Sequence, residues 1–182
     1  GTKDEVEWAF FKAPKIFKPL LLKQLNEIIN NEEDENPIFK LGEMLESKNQ
    51  NTIGMASALW LDFESKLASI NASNSLSNFS DRNYKNINSK NLPNTPFLEW
   101  HYIKNNFFLD DNELINNKHI IKKIPLTIIQ GEYDLLCPPI TSYSFIRGLD
   151  NAKIIDVPVA GHYISDPGIK NKMREIIDQF QV

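Results

Sequence analysis

The sequence predicts an α/β fold with two parallel strands in the last third of the chain. Two short runs of β-branched and other apolar residues, Leu126 to Ile129 and Ile154 to Val157, are bounded by proline and glycine. Runs of this kind are typical of strands buried on both faces of a parallel sheet. The segment between them, Ile140 to Leu149, has the length of a helix and ends near Gly148. Together they predict a βαβ unit with a right-handed crossover.

The residues before this unit predict a helical domain. Its first segment is rich in aromatic residues that we expect in a core: Trp8, Phe10, Phe11 and Phe17. Apolar residues then recur at helical spacing from Leu20 to Ile29. Pro37 opens the next predicted helix at its first turn, a position that proline favours.

The longest predicted helix runs from Asn51 to Ile70 and carries one apolar stripe. The stripe consists of Ala56, Leu59, Phe63, Leu67 and Ile70. Residues 72–94 are rich in Asn, Ser and Lys and lack periodicity, which predicts a polar loop or insertion. A helix resumes from Thr95 to Phe108, with Thr95 as its N-cap and Pro96 at the first helical position.

Two further helices complete the prediction. Asn112 to Ile121, with Asp110 and Asp111 as possible N-caps, leads back to the sheet. Asp166 to Gln179 forms the last helix, with Asp166 as a candidate N-cap. Its apolar stripe should cover one face of the sheet: Ile169, Met173, Ile176, Ile177 and Phe180. We therefore expect a helical domain at residues 3–110 and a strand-containing domain at 111–182.

Composition narrows the class of protein. The formal net charge of −4 argues against nucleic-acid binding, because no basic stripe could neutralise a phosphate backbone. The sequence shows neither a bilayer-spanning apolar run nor a signal peptide, so we expect no membrane partner. The single cysteine, Cys137, excludes an internal disulfide and fits a reducing compartment, so we expect a cytoplasmic location.

Asp134 and His162 are the candidate catalytic residues. Each follows the carboxyl end of a predicted strand, which is where open α/β sheets place their chemistry. Acid followed by base is also the chain order of α/β hydrolases, in which the nucleophile comes first. Two other interpretations remain open: Asp134 could be only a helix N-cap, and His162 only a loop residue.

The text around this pair resembles the C-terminal end of the proline iminopeptidases (prolyl aminopeptidases), which are serine peptidases with the α/β-hydrolase fold. The resemblance lies in I-P-x-x-I-I-x-G-x-Y-D-x-x-C-P from Ile124 and A-G-H-x-x-x-x-P-G-I from Ala160. The family usually has Arg before the Tyr-Asp pair, where this chain has Glu132. The resemblance implies the last two strands and helices of the hydrolase core, preceded by most of a helical cap.

The same resemblance implies roles for particular residues. Asp134 and His162 would be the acid and base of a catalytic triad. W-L-D-F-E is similar to the family's cap motif W-x-x-W-E, and E-W-H-Y to a second cap motif, so Glu64 and Glu99 would bind the amine of a peptide with a free N-terminal proline. A Glu on an amphipathic helix is more often a solvated surface residue. Cys137 would line the pocket, and no metal or cofactor is implied.

The chain has no G-x-S-x-G motif, which the nucleophilic serine of this fold requires. We therefore expect the serine upstream, in an N-terminal portion of the same enzyme that acts as a partner. The chain alone should be inactive, because acid and base without a nucleophile cannot form an acyl-enzyme. Two alternatives stay open: another capped hydrolase, such as an esterase or epoxide hydrolase, and a non-catalytic binding module derived from the fold.

Overall fold

The structure is a computed structural model that describes residues 2–70, 83–84 and 87–179. The predicted polar loop at 72–94 lies partly outside these residues, as does Phe180 of the last predicted stripe. The described chain divides into two compact units. The first comprises residues 1–67 and 71–109, and the second comprises 68–70 and 110–182.

The first unit is helical in its described part. It begins with helix α1 (Lys3–Glu7), a π-helical segment (Trp8–Lys12) and α2 (Ala13–Phe17), followed by α3 (Pro19–Ile29) and α4 (Pro37–Leu45). The long helix α5 (Gln50–Ala68) comes next, and its last residue belongs to the second unit. A 3-10 turn (Ser89–Asn91), α6 (Thr95–Lys104) and a second 3-10 turn (Asn106–Phe108) complete the unit.

Helix α5 lies at the centre of the first unit's core. The predicted stripe is confirmed for four residues that are at most 1% exposed: Ala56, Leu59, Phe63 and Leu67. Trp60 is fully buried as well, so burial extends around most of the helix, as expected for an interior helix. The predictions for Ile70 and Phe17 are wrong, because both side chains are exposed. Ile70 lies beyond the end of α5, and Phe17 is the last residue of α2.

Helix α6 differs from its prediction at both ends. Asn94, not Thr95, occupies the N-cap position, so the helix begins one residue earlier than its Thr-Pro signal indicates. It ends at Lys104, because asparagine side chains take over the hydrogen bonding: Asn105 Nδ2 donates to the His101 carbonyl, and Asn106 Nδ2 to that of Leu109. Residues 106–108 all have positive φ angles, which a right-handed helix excludes.

The second unit contains the strands. Helix α7 (Glu113–Asn117) and a 3-10 turn (Lys118–Ile121) lead to β1 (Leu126–Gly131), α8 (Pro139–Ile146), β2 (Ala152–Val157) and α9 (Pro167–Gln179). Asp110 and Asp111 do not cap α7, whose N-cap is Asn112. Instead the Glu113 carboxylate accepts a hydrogen bond from the Asp110 N–H.

The two strands pair in parallel, from Leu126 opposite Ala152 to Gly131 opposite Val157. Helix α8 packs on both strands and α9 packs on β1, where Ile169 joins a small core with Val157, Ala160 and Ile129. The prediction of strands buried on both faces is wrong. Most strand residues are only half-buried, because the sheet has two strands within the described residues. Across these same residues, no helix has both the length and the apolar character of a membrane span.

Candidate active site

Two loops run side by side beyond the carboxyl ends of β1 and β2. We name residues 131–137, which begin with the last residue of β1, the acid loop, and residues 158–166 the base loop. The acid loop's Glu132 N–H donates to the Val157 carbonyl at 3.1 Å, and its Tyr133 N–H donates to the Ala160 carbonyl at 2.9 Å. The parallel pairing of the strands thus continues into the loops, which brings Asp134 close to His162.

Gly131 allows the backbones of the two loops to approach. A Cβ atom at this position would lie 2.1 Å from the Gly161 carbonyl oxygen and 2.7 Å from that of Ala160. Both atoms are backbone and cannot rotate away, so only glycine fits without moving a loop.

Asp134 is 7% exposed and its two carboxylate oxygens have different partners. Oδ1 accepts hydrogen bonds from the backbone N–H groups of Leu136 (3.0 Å) and Cys137 (2.8 Å). Oδ2 lies 2.9 Å from Nδ1 of His162. Asp134 therefore caps a local turn and also contacts the histidine; it is not a helix N-cap, because Pro138 occupies that position before α8. The capping fixes the carboxylate while its second oxygen remains directed at the imidazole.

His162 is held through its backbone as well as through its ring. Its N–H donates to the Ala68 carbonyl at 2.9 Å, and the preceding Gly161 N–H donates to Asp166 Oδ2 at 2.8 Å. The Asp166 carboxylate, expected at the start of α9, therefore stabilises the base loop. The His162 side chain remains 39% exposed, which leaves part of the ring accessible.

The surroundings of His162 favour its charged form. The hydrogen bond to Asp134 is the largest cause that raises the pKa of His162, to about 10, and the Cys137 side chain raises it further, against the effect of burial. The raised pKa favours the imidazolium form of His162. A role as general base requires that this proton first be lost.

Cys137 is exposed, and its side chain interacts with that of His162. Its backbone is held on both sides: the N–H donates to Asp134, and the carbonyl accepts from Gln130 Nε2 at 3.1 Å. Sequence reasoning missed Gln130, a buried polar residue near the end of β1. The sequence signal that could have indicated Gln130 is its position, as a polar residue directly after the apolar run I-P-L-T-I-I. Among the described residues, no three His, Cys, Asp or Glu side chains form a metal-binding group.

Glu64 and Glu99 lie in the first unit, where the charge of Glu64 acts on Glu99. Burial is the main cause that raises the pKa of Glu99 to about 7, and the nearby charge of Glu64 raises it too. Glu99 Oε2 accepts a 2.5 Å hydrogen bond from Trp60 Nε1, which opposes these effects. Trp60, the first residue of W-L-D-F-E and given no role from sequence, thus orients one of the two candidate amine-binding carboxylates.

Fold and site together define a protein with helices, a parallel strand pair and a carboxylate–imidazole pair at the strand ends. In sequence the chain is similar to proteins named proline iminopeptidase. A probable proline iminopeptidase of Leptolyngbya boryana is 27% identical over 98% of this chain and 54% of its own length. The proline iminopeptidase of Arabidopsis thaliana is 35% identical over 42% of this chain and 20% of its own length. A putative proline iminopeptidase of Mycoplasma pneumoniae is 31% identical over 44% of this chain and 26% of its own length.

The chain spans about half the length of the Leptolyngbya relative. No family model matches it. The similarities therefore relate the chain to proteins named as peptidases. They assign no role to individual residues.

Proposed function

We propose that this chain is the C-terminal part of a serine aminopeptidase of the α/β-hydrolase fold that releases N-terminal proline from peptides. In this proposal residues 3–110 form most of a helical cap, and residues 111–182 form the end of the hydrolase core. The observation that carries the proposal is the 2.9 Å contact between Asp134 Oδ2 and His162 Nδ1 beyond two parallel strand ends. The names of the relatives support the same reaction.

His162 acts first as general base and then as general acid. Because Nδ1 faces Asp134, Nε2 is the nitrogen left to take the proton of a nucleophile and later give it to the leaving amine. Asp134 orients the ring and stabilises the imidazolium. The nucleophile is a serine outside these 182 residues, since no serine of the chain lies in a G-x-S-x-G motif. The chain by itself is therefore inactive.

Glu64 and Glu99 hold the charged amine of the substrate. Two neighbouring carboxylates attract a cation, and a cation between them favours ionisation of both. Glu99 keeps its proton up to about pH 7, so amine binding at lower pH must displace that proton. Such a pair selects peptides with a free N-terminus, and thereby enforces release of the terminal residue. Cys137, beside His162, lines the pocket.

The test uses an enzyme assembled from this chain and a polypeptide that supplies the serine nucleophile. We expect His162→Ala to abolish hydrolysis of a prolyl arylamide, a loss on the order of 10³-fold or more in kcat. Glu64→Gln and Glu99→Gln should mainly raise KM. Hydrolysis by the unaltered enzyme should increase with pH as the His162 imidazolium, with its raised pKa, loses its proton.

His119→Ala is the matched control, because His119 is an exposed histidine of the second unit whose Nδ1 lies 3.1 Å from the Asn116 carbonyl. It should leave hydrolysis unchanged. Full activity of His162→Ala would remove the triad assignment. Hydrolysis of p-nitrophenyl esters without hydrolysis of prolyl arylamides would favour an esterase instead.

A further inference from the structure

Gln130 is a buried side chain whose amide is engaged at both ends. The residue is 4% exposed and precedes the acid loop. Its Nε2 donates to the carbonyls of Gly131 and Cys137, both at 3.1 Å, and its Oε1 accepts from Ser142 Oγ at 2.5 Å. A buried amide is costly unless its donors are satisfied, and here both N–H donors have acceptors.

These contacts close the acid loop. Gly131 is the first residue of the loop and Cys137 is the last, so one amide group joins the two ends. Ser142 lies on α8, which ties the closed loop to the helix that follows it.

A short series of contacts leads from Gln130 to the candidate acid. Gln130 holds the carbonyl of Cys137, and the N–H of the same residue donates to Asp134 Oδ1 at 2.8 Å. Because Oδ1 is held in this way, Oδ2 is directed at His162. We propose that Gln130 is a positioning residue, which fixes Cys137 and thereby holds the Asp134 carboxylate in the orientation that meets His162.

This inference rests on the proposed function only in naming Asp134 and His162 as acid and base. Its alternative is that Gln130 merely fills space beneath the loop. Methionine separates the two, since it is unbranched and of similar length but cannot donate a hydrogen bond. Gln130→Met therefore keeps the packing and removes both donors.

The experiment follows the titration of histidine ring signals by NMR in the 182-residue chain. In Gln130→Met we expect the pKa of His162 to fall from about 10 toward its ordinary value of 6.5, in the same direction as in Asp134→Asn. The ring signals of His119, recorded in the same spectra, serve as the internal reference. A His162 titration that is the same in Gln130→Met and in the unaltered chain overturns the proposal.

Two further variants address folding. Leu149→Ala removes a buried side chain from the same unit. The backbone hydrogen bonds of Leu149 are to Ile146 and Ala152, which lie outside the acid and base loops, so this variant should leave the His162 titration unchanged. If it lowers the pKa of His162 as much as Gln130→Met does, general loosening explains the effect and the proposal fails. Should Gln130→Met not fold, Ser142→Ala removes only the partner of Oε1, and we expect a smaller fall. No fall in that variant also overturns the proposal.

The titration requires no hydrolysis, so it is independent of the proposed peptidase activity. A shifted His162 titration in a protein that never hydrolyses prolyl arylamides would overturn the function and leave the positioning role. In the assembled enzyme, Gln130→Met should lower kcat with little change in KM, because its contacts are to the acid loop.

Discussion

Glu99 and His162 show how one direction of pKa change has opposite effects on charge. Both pKa values are raised, which favours the neutral form of Glu99 and the charged form of His162. The causes differ accordingly. Burial and a like charge disfavour the carboxylate of Glu99, whereas a hydrogen bond from the ring to Asp134 favours the imidazolium. The proposed amine-binding pair and the proposed catalytic pair thus each contain a group whose protonation changes close to or above neutral pH.

Glu99 should make the stability of the protein depend on pH. An unfolded Glu loses its proton near pH 4.5, whereas folded Glu99 keeps it until about pH 7. Between these values folding takes up a proton, so the free energy of unfolding falls as pH rises. Glu99→Gln removes this dependence, and urea unfolding at pH 5 and pH 8 measures it. Because solvent screens the partly open site, we expect a gain for the variant at pH 8 on the order of 1 kcal/mol relative to pH 5.

Two variants serve as controls for this prediction. Glu64→Gln should reduce the fall in stability, because the charge of Glu64 helps to raise the pKa of Glu99. Glu27→Gln changes an exposed carboxylate on α3 and should leave the fall as it is. An equal dependence on pH in the unaltered chain and in Glu99→Gln would mean that Glu99 ionises normally.

At the scale of elements, the turn that begins at Gly131 joins β1 to the candidate site. Gly131→Ala should lower the free energy of unfolding by about 1–3 kcal/mol, because the new Cβ would collide with two backbone carbonyls of the base loop. Hydrogen exchange at the Tyr133 N–H should become faster, since the loops must separate. Thermal unfolding and exchange rates measure the two effects.

Gly148→Ala is the matched glycine control. Its Cβ would meet nothing within 4 Å, but the φ angle of +83° at Gly148 still disfavours alanine. It should therefore lower stability without faster exchange at Tyr133. Unchanged exchange in Gly131→Ala would show that the loops tolerate a methyl group there.

The elements that sequence predicted best are those set by local rules. Helix α4 begins at Pro37, as predicted, since proline fixes its own φ angle and Asn36 caps the helix through Ile38 N–H. The meeting of Asp134 and His162 was also predictable, because the carboxyl ends of parallel strands share one edge.

What the sequence did not predict depends on distant partners. Gln130 matters through the Cys137 carbonyl, and Trp60 through Glu99, 39 residues away. Neither contact leaves a periodic pattern. The end of α6 was missed because the side chains of Asn105 and Asn106 compete for backbone hydrogen bonds, an effect weaker in sequence than a proline or a glycine.

At the scale of the whole molecule, the parallel sheet has open edges. Each strand has one partner within the described residues, so each presents an outer edge of unpaired backbone groups. We expect the chain alone to associate with itself, and to associate less when a polypeptide supplying neighbouring strands is present. Sedimentation at several concentrations measures this. A folded monomer at every concentration would contradict it.

Apolar side chains on the surface are the competing cause of association. Ile120 and Ile140 are 70% and 68% exposed. Lysine at both positions should leave association unchanged if strand edges cause it, and should abolish it if apolar contacts do.

The hydrogen bond from the His162 N–H to the Ala68 carbonyl has a consequence for the order of synthesis. Residues 68–70 belong to the second unit, yet His162 is translated 94 residues after Ala68 (162 − 68). At roughly 5–20 residues per second, a ribosome needs on the order of 5–20 s for that distance. The second unit therefore cannot finish folding when its first residues, 68–70, are synthesised. These residues must wait until the base loop has been made.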